Sequence, residues 1–176
     1  MAAQDAQAAC ELLLSRPAAG GAFYRLGEIH RVRGEFEKAE AAYTRANEHG
    51  RKPQPGLSQL RLGQRHIDGA AASIRSVLAD TQDRSARATA LAAAVDILLA
   101  ASDLPQARAA AAELSEIAGA LGTPLVSATA AHATGAVLLA EGDIANAAAS
   151  LRCAAAAGTR HRPGRARAAS LPRLRR

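Results

Sequence analysis

A short unit that combines a tight turn with an alanine recurs along the chain and limits the folds open to it. Gly34-Glu35-Phe36 is followed by Ala39 three residues later, and related turns precede Ala107 and Ala147. A weaker version, which lacks the acidic residue, precedes Ala70. Steps of 31, 37 and 40 residues separate the four alanines. A period of about 20–50 residues is typical of arrays in which each unit stacks on the next.

The unit predicts a pair of helices joined by a tight turn. Glycine ends the first helix in a left-handed conformation, and the acidic residue then lies at the positive end of the second helix. Small and apolar residues of the second helix recur at offsets of three, four and three, which is one face of an α-helix. In the first unit these residues are Phe36, Ala39, Tyr43 and Ala46.

Composition supports an all-α chain. Hydrophobic residues make up 49% of the sequence but aromatic residues only 2%, and alanine accounts for much of the difference. Alanine is the best helix former, whereas the residues that favour strands are scarce. We expect an N-terminal helix or cap over residues 1–19, helical repeats over 20–157 and a disordered, arginine-rich tail over 158–176.

The net charge of +6 belongs to the tail rather than to the repeats. Residues 155–176 contain seven arginines and no acid, so the rest of the chain carries 15 basic residues (22 minus 7) against 16 acidic ones. A folded nucleic-acid binder usually shows a basic surface, and the repeats lack one. Nonspecific binding of phosphates by the tail is kept as an alternative function.

No motif in the sequence predicts catalysis, a metal site or a cofactor. It has no phosphate-binding glycine loop and no His or Cys motif for zinc. Cys10 and Cys153 lie far apart, and we interpret them as idle thiols; His30 is predicted to be a core histidine. No signal peptide or membrane-spanning run is visible, so we expect a cytoplasmic protein that is not an enzyme.

Residues 20–53 resemble one tetratricopeptide repeat, whose pattern is W-x2-L-G-x2-Y, then A-x3-F-x2-A, then P. The matching residues are Phe23, Leu26, Gly27 and His30 in the first helix and Ala39, Tyr43 and Ala46 in the second. Phe23 and His30 replace the Trp and Tyr of the family pattern. Ala107, Gly135 and Ala147 hold small-residue positions in later units. The resemblance implies a right-handed superhelix of about four antiparallel helix pairs.

The same resemblance implies that the first helix of each pair lines a concave groove that binds a protein or peptide. The candidate groove-lining residues are Tyr24, Glu28 and Arg31 in the first unit, Asp96 and Leu99 in the third, and His132 and Leu139 in the fourth. Their charges are mixed, and a Lys/Asn clamp for a terminal carboxylate is missing. These residues therefore predict a binding surface, but they do not indicate which class of ligand it binds.

Two segments, FYRLGEIHRVRGEFEKAEAAYTRA and ALGTPLVSATAAHATGAVLLAEGD, look like the helical-repeat region of large LuxR-type bacterial transcriptional regulators. This resemblance implies a sensing or interaction segment of a regulator that acts on transcription. No segment resembles the DNA-binding helix-turn-helix of that family, so the folded body is not expected to bind DNA. A free-standing adaptor for protein–protein interaction is the alternative.

The C-terminal sequence departs from the family after Arg152, where it becomes a run rich in Ala, Arg, Pro and Gly. We hypothesise that the chain is a truncated or frameshifted product. The last repeat would then lack a capping neighbour, which arrays need at their ends. We expect an exposed apolar strip beside Leu138, Leu151 and Ala154 and a tendency to self-associate through it.

Overall fold

The computed structural model describes residues 17–160, with side chains described over residues 19–156. Within this range the backbone forms eight α-helices and no strand, which confirms the predicted all-α class. The helices are α1 (Pro17–Val32), α2 (Phe36–Glu48), α3 (Gly56–Gly63), α4 (Ile67–Asp80), α5 (Arg84–Ala100), α6 (Leu104–Leu121), α7 (Pro124–Ala140) and α8 (Ile144–Arg160).

Four three-residue turns, after α1, α3, α5 and α7, share one backbone geometry. The middle residue of each turn is left-handed: Gly34 (φ 75°), Arg65 (66°), Ser102 (58°) and Gly142 (84°). The next amide N–H donates to the carbonyl five residues earlier, with an N–O distance of 2.9 Å in all four turns. This bond is the Schellman motif, which satisfies carbonyls at the end of a helix. Successive turns are therefore 31, 37 and 40 residues apart, the same distances that separate the four alanines.

An acidic residue is the last residue of three of these turns, but only the aspartates cap the next helix with their side chains. Asp103 and Asp143 accept hydrogen bonds at 3.2 Å from the backbone N–H groups of Gln106 and Asn146. The longer Glu35 makes no side-chain cap, and its carboxylate instead meets the imidazole of His30 at 2.5 Å. His30 is accordingly half-buried and paired, as a satisfied histidine of the packing face should be.

Helix contacts follow a regular order along the chain. Each helix packs on the next, and each odd-numbered helix also packs on the following odd-numbered one, so that α1, α3, α5 and α7 form a row. Within the described range no even-numbered helix packs directly on the next even-numbered one. Long side chains bridge these instead; for example, Arg75 of α4 donates from Nε to Gln106 of α6 at 2.9 Å. The odd-numbered helices thus share one side of the molecule.

Buried side chains form two hydrophobic cores. The first joins α1, α2 and α3 and contains Tyr24, Ala39, Tyr43, Ala46 and Leu60. The second joins α4 to α7 and is built from Ala, Leu, Ile and Val. The repeating alanines Ala39, Ala70, Ala107 and Ala147 are all buried. Their small side chains allow neighbouring helices to approach closely.

Two glycines on first helices face large side chains of the second helix of their own pair. A Cβ added at Gly27 would lie 2.5 Å from the ring of Tyr43, and one at Gly135 would lie 2.8 Å from Leu151. Both contacts are shorter than a carbon–carbon contact of about 3.5–4.0 Å. Glycine at these positions therefore sets the distance between the paired helices.

One predicted packing residue is wrong: Leu26, which matches the repeat pattern, is 42% exposed. Ile144, at the start of α8, is also exposed, at 70%. Each lies on a helix at one end of the described array, where no further helix of the described part covers it. Leu138, Leu151 and Ala154 are half-buried rather than fully exposed, while the neighbouring Leu139 is 56% exposed. The exposed apolar surface near α8 therefore differs in position from the predicted strip.

The first described helix begins before the predicted start of the repeats at residue 20, because α1 already begins at Pro17. Proline is tolerated in the first turn of a helix, where its missing N–H has no partner to lose. Gly20 lets α1 approach the end of α2, since an added Cβ would lie 2.8 Å from Arg51. Most of the predicted cap (1–19) and tail (158–176) lies outside the described residues.

Candidate binding groove

The row of odd-numbered helices carries a groove with a volume of about 540 Å³. All four of these helices contribute side chains to its walls, and Pro55 at the start of α3 also lines it. Pockets of about 300–1,000 Å³ are typical of ligand sites in proteins. We call this feature the odd-helix groove.

Five of the seven predicted groove-lining residues lie in the odd-helix groove. Tyr24, Glu28 and Arg31 reach it from α1, Asp96 from α5 and His132 from α7. The first and last of these residues are more than 100 positions apart in sequence, and the row of helices brings all five to one surface. The structure therefore gives them a common location, while their role in binding stays a prediction.

Leu99 and Leu139 were predicted to line the groove, and neither does. Leu99 lies three residues after Asp96, about 300° around the helix, and packs against the second core instead. Leu139 lies on the same side of α7 as His132, but seven residues further along, or about 10 Å. It is therefore beyond the end of the groove and exposed.

The sequence interpretation missed several other groove residues. On α5 these are Ser85, Thr89 and Ala92, and on α7 they are Leu125, Val126 and Thr129. Ser85, Thr89, Ala92 and Asp96 follow offsets of four, three and four, so they continue the helix face that Asp96 marks. Extending that face toward the start of each helix would have found them. Gln59 of α3 also lines the groove, although no groove-lining residue was predicted in the second unit.

A paired carboxylate lies at the α1 side of the groove. Glu28 accepts a hydrogen bond from the guanidinium of Arg31 at 2.8 Å and another from the hydroxyl of Tyr43. Burial is the largest influence on Glu28 and opposes its ionisation, but the hydrogen bonds from Arg31 and Tyr43 together outweigh it. The pKa of Glu28 therefore lies below its ordinary value. Glu28 is thus held as an anion whose charge is already balanced.

Gly56, at the start of α3, packs directly on this pair. A Cβ added there would lie 2.2 Å from the Glu28 carboxylate and 2.6 Å from the Tyr43 hydroxyl. Burial and the hydrogen bond to Glu28 raise the pKa of Tyr43, so its hydroxyl stays protonated and acts as the donor. The network therefore joins α1, α2 and α3, and its Glu28 and Arg31 side chains line the groove.

Asp96 has a different environment. The side chain is exposed in the groove and has no hydrogen bond or ion pair within the described part of the chain. Desolvation by the surrounding walls raises the pKa of Asp96, and the charges of His132 and Arg31 offset only part of this effect. His132, across the groove on α7, also lacks a hydrogen bond within that part. Asp96 is therefore a carboxylate without a partner.

Other kinds of site are not apparent among residues 17–160. No group of three or more His, Cys, Asp or Glu side chains there is arranged to hold a metal ion. Cys153 is an exposed free thiol, and Cys10 lies outside the described residues. None of the described helices is long and apolar enough to cross a bilayer.

Comparison with known proteins does not extend this assignment. The chain matches no protein-family model, no curated protein and no solved structure. The odd-helix groove is therefore the feature from which its function is inferred.

Proposed function

We propose that the chain is a non-catalytic interaction module whose odd-helix groove holds a peptide segment of a partner protein. One observation carries the proposal: all four odd-numbered helices contribute to a single groove of about 540 Å³. A groove built by several units in this way is the binding surface that stacked helical repeats typically use.

We further propose that the array is tetratricopeptide-like, with four antiparallel helix pairs in a right-handed superhelix. Two features support this. The odd-numbered helices pack in a row while the even-numbered ones do not pack on one another. The left-handed turn and the buried alanine five residues later recur in all four pairs. The sequence resemblance to LuxR-type regulators is the reason to place such a module in a cytoplasmic transcriptional regulator.

Phage display of a random 12-residue peptide library on the purified chain tests the proposal. Thr89 is exposed in the groove, so Thr89→Trp should fill the groove without disturbing the cores. We expect wild type to enrich peptides whose affinity, measured by fluorescence polarisation, falls at least tenfold for Thr89→Trp.

The matched control is Ala109→Trp on α6, because Ala109 is exposed and lies on an even-numbered helix outside the groove. Its affinity for the same peptides should equal that of wild type. Enriched peptides that bind both tryptophan variants equally well would rule out the groove as their site. Failure to enrich any peptide sequence would count against a peptide-binding module.

A further inference from the structure

We propose that the odd-helix groove selects peptides by a lysine or arginine side chain, which pairs with the carboxylate of Asp96. This inference rests on the proposed peptide-binding function and names the chemistry of the ligand.

The charges of the groove walls give the first argument. Arg31 donates from Nε and Nη2 to Glu28, at 3.4 and 2.8 Å, and these two charges balance each other. Asp96 is the one of these three charged groove residues that has no partner within the described part of the chain. The formal charges of Glu28, Arg31 and Asp96 sum to −1, which favours a cationic ligand group.

Asp96 is also accessible to a long side chain. Its neighbours on the groove face of α5 are the short residues Thr89, Ala92 and Ala93. These leave space above the helix for the stem of a lysine or arginine, whose methylene groups pack well on small apolar residues. Asp96 lies one turn before the carboxyl end of α5, and the partial negative charge of a helix end adds to the attraction for a cation.

An anionic ligand group fits the groove less well. The guanidinium of Arg31 is already occupied by Glu28, so a second carboxylate would compete with an existing pair. It would also lie near the unpaired charge of Asp96. Like charges placed close together in a protein interface disfavour binding. The wall chemistry therefore discriminates between basic and acidic peptides.

At the other end of the groove, two apolar side chains of α7 set a spacing. Leu125 is 61% exposed and Val126 half-buried, and both line the groove near the start of α7. His132, which faces Asp96, lies seven residues after Leu125, or about 10 Å along the helix. An extended peptide covers about 3.3 Å per residue. A preferred peptide should therefore carry an apolar residue about three positions from its basic residue.

The peptides selected on wild type provide the probe for this inference. We expect lysine or arginine at one position of every groove-dependent peptide, and an apolar residue about three positions away. Asp96→Asn should weaken such a peptide about ten- to a hundredfold, since a hydrogen bond between charged groups is lost. The matched control Asp68→Asn removes an exposed carboxylate of α4 outside the groove and should leave the affinity unchanged.

A charge swap separates recognition from a structural role. Asp96→Lys should reject the basic peptide and bind its Lys→Glu analogue more tightly than wild type does, which a merely structural residue would not produce. Groove-dependent peptides without a basic residue, or unchanged affinity in Asp96→Asn, would overturn this inference and leave the proposed function intact. If no peptide depends on the groove, as judged with Thr89→Trp, both proposals fail.

Discussion

The first helix pair and the centre of the array fill the space between their helices in different ways. All four aromatic side chains of the protein, two Phe and two Tyr, lie in α1 and α2. The second core, from α4 to α7, contains no aromatic side chain among its described residues and relies on Ala, Leu, Ile and Val. One repeating backbone geometry thus accommodates two kinds of core.

The difference follows from one position of the repeat. Tyr43 occupies the place that Ile74 holds in the second unit and Ala111 in the third, four residues after the buried alanine. The tyrosine ring requires glycine on the facing helices, at Gly27 and Gly56, because a side chain there would collide with it. The large side chain of Tyr43 therefore fits because the neighbouring helices have glycine at the positions that face it.

The aromatic core also has a polar consequence. A buried tyrosine hydroxyl needs a hydrogen-bond partner, and Glu28 accepts from Tyr43. Glu28 in turn needs a positive neighbour, which Arg31 supplies. The second core contains only Ala, Leu, Ile and Val, so it has no buried hydroxyl that needs a partner. Asp96, on the groove side of α5, correspondingly has no hydrogen bond or ion pair within the described part of the chain.

Tyr43→Ala should have the largest effect of the changes considered. Truncation of a buried aromatic residue costs about 3–5 kcal/mol of folding stability. Because the two cores are separate, we expect α1 and α2 to lose most of their protection in hydrogen exchange measured by mass spectrometry. Helices α5 and α6 should keep theirs.

Ile74→Ala is the matched change in the second core, with an expected cost of about 2–5 kcal/mol. Ile74 packs within the cluster that joins α4 to α7, so protection should fall there rather than in α1. Equal loss of protection in both halves for either variant would mean that the two cores unfold as one unit.

Glu28→Gln should have the next largest effect. The change keeps the shape of the side chain but removes the charge, and we expect a cost of about 1–2 kcal/mol at pH 7. The pKa of Glu28 is lowered in the folded state, so its contribution is present above the ordinary value of 4.5 and is lost as pH falls through the folded pKa.

Urea denaturation at pH 7 and at pH 3 measures this effect. The difference between wild type and Glu28→Gln should shrink toward zero at the lower pH. Glu40→Gln serves as the control, because Glu40 is exposed on α2 in the same unit and its loss should change stability by less than about 0.5 kcal/mol. A difference for Glu28→Gln that persists at pH 3 would contradict the electrostatic explanation.

The smallest expected effect concerns the turns, where the two regions differ again. The first pair uses Gly34 in the left-handed position and the third pair uses Ser102. A left-handed conformation costs an L-residue about 1–2 kcal/mol, and the extra flexibility of unfolded glycine removes part of the gain. Ser102→Gly should therefore stabilise the protein by about 0.5–1 kcal/mol.

Gly34→Ser is the reciprocal change and should destabilise by a similar amount. Apart from the residues next to it in the chain, no atom lies within 4 Å of a Cβ added at Gly34, so the substitution tests the backbone conformation rather than packing. Thermal unfolding followed by circular dichroism measures both variants. A rise in melting temperature for Gly34→Ser, or a fall for Ser102→Gly, would show that the turn geometry is not the source of the difference.

Local features of the fold were largely predictable from the sequence. The turn before Ala39 and the spacing Phe36, Ala39, Tyr43, Ala46 depend on interactions between residues close in the chain. The Schellman bond and the helix face are of this kind. The left-handed residues at Arg65 and Ser102 were harder to find, because neither is a glycine. Each of them can nevertheless be located, because it lies five residues before a repeating alanine.

Part of the candidate groove was predictable for the same reason. Glu28 and Arg31 share a helix face by their spacing alone, and the resemblance to a tetratricopeptide repeat pointed that face inward. The same reasoning misplaced Leu99 and Leu139, because helix spacing gives the direction of a side chain but not where a groove ends. It also predicted Leu26 to be packed, but Leu26 is exposed because no other helix of the described part covers that side of α1.

Periodic small residues and turn chemistry thus determine that this chain forms paired helices with repeating junctions, since both act over a few residues. Contacts between distant residues required the tertiary structure. It decided that Tyr43 donates to Glu28, that Gly56 closes over this pair, and that Asp96 is left without a partner. These outcomes depend on how closely separate helices approach one another, a distance that side chains from several units set together.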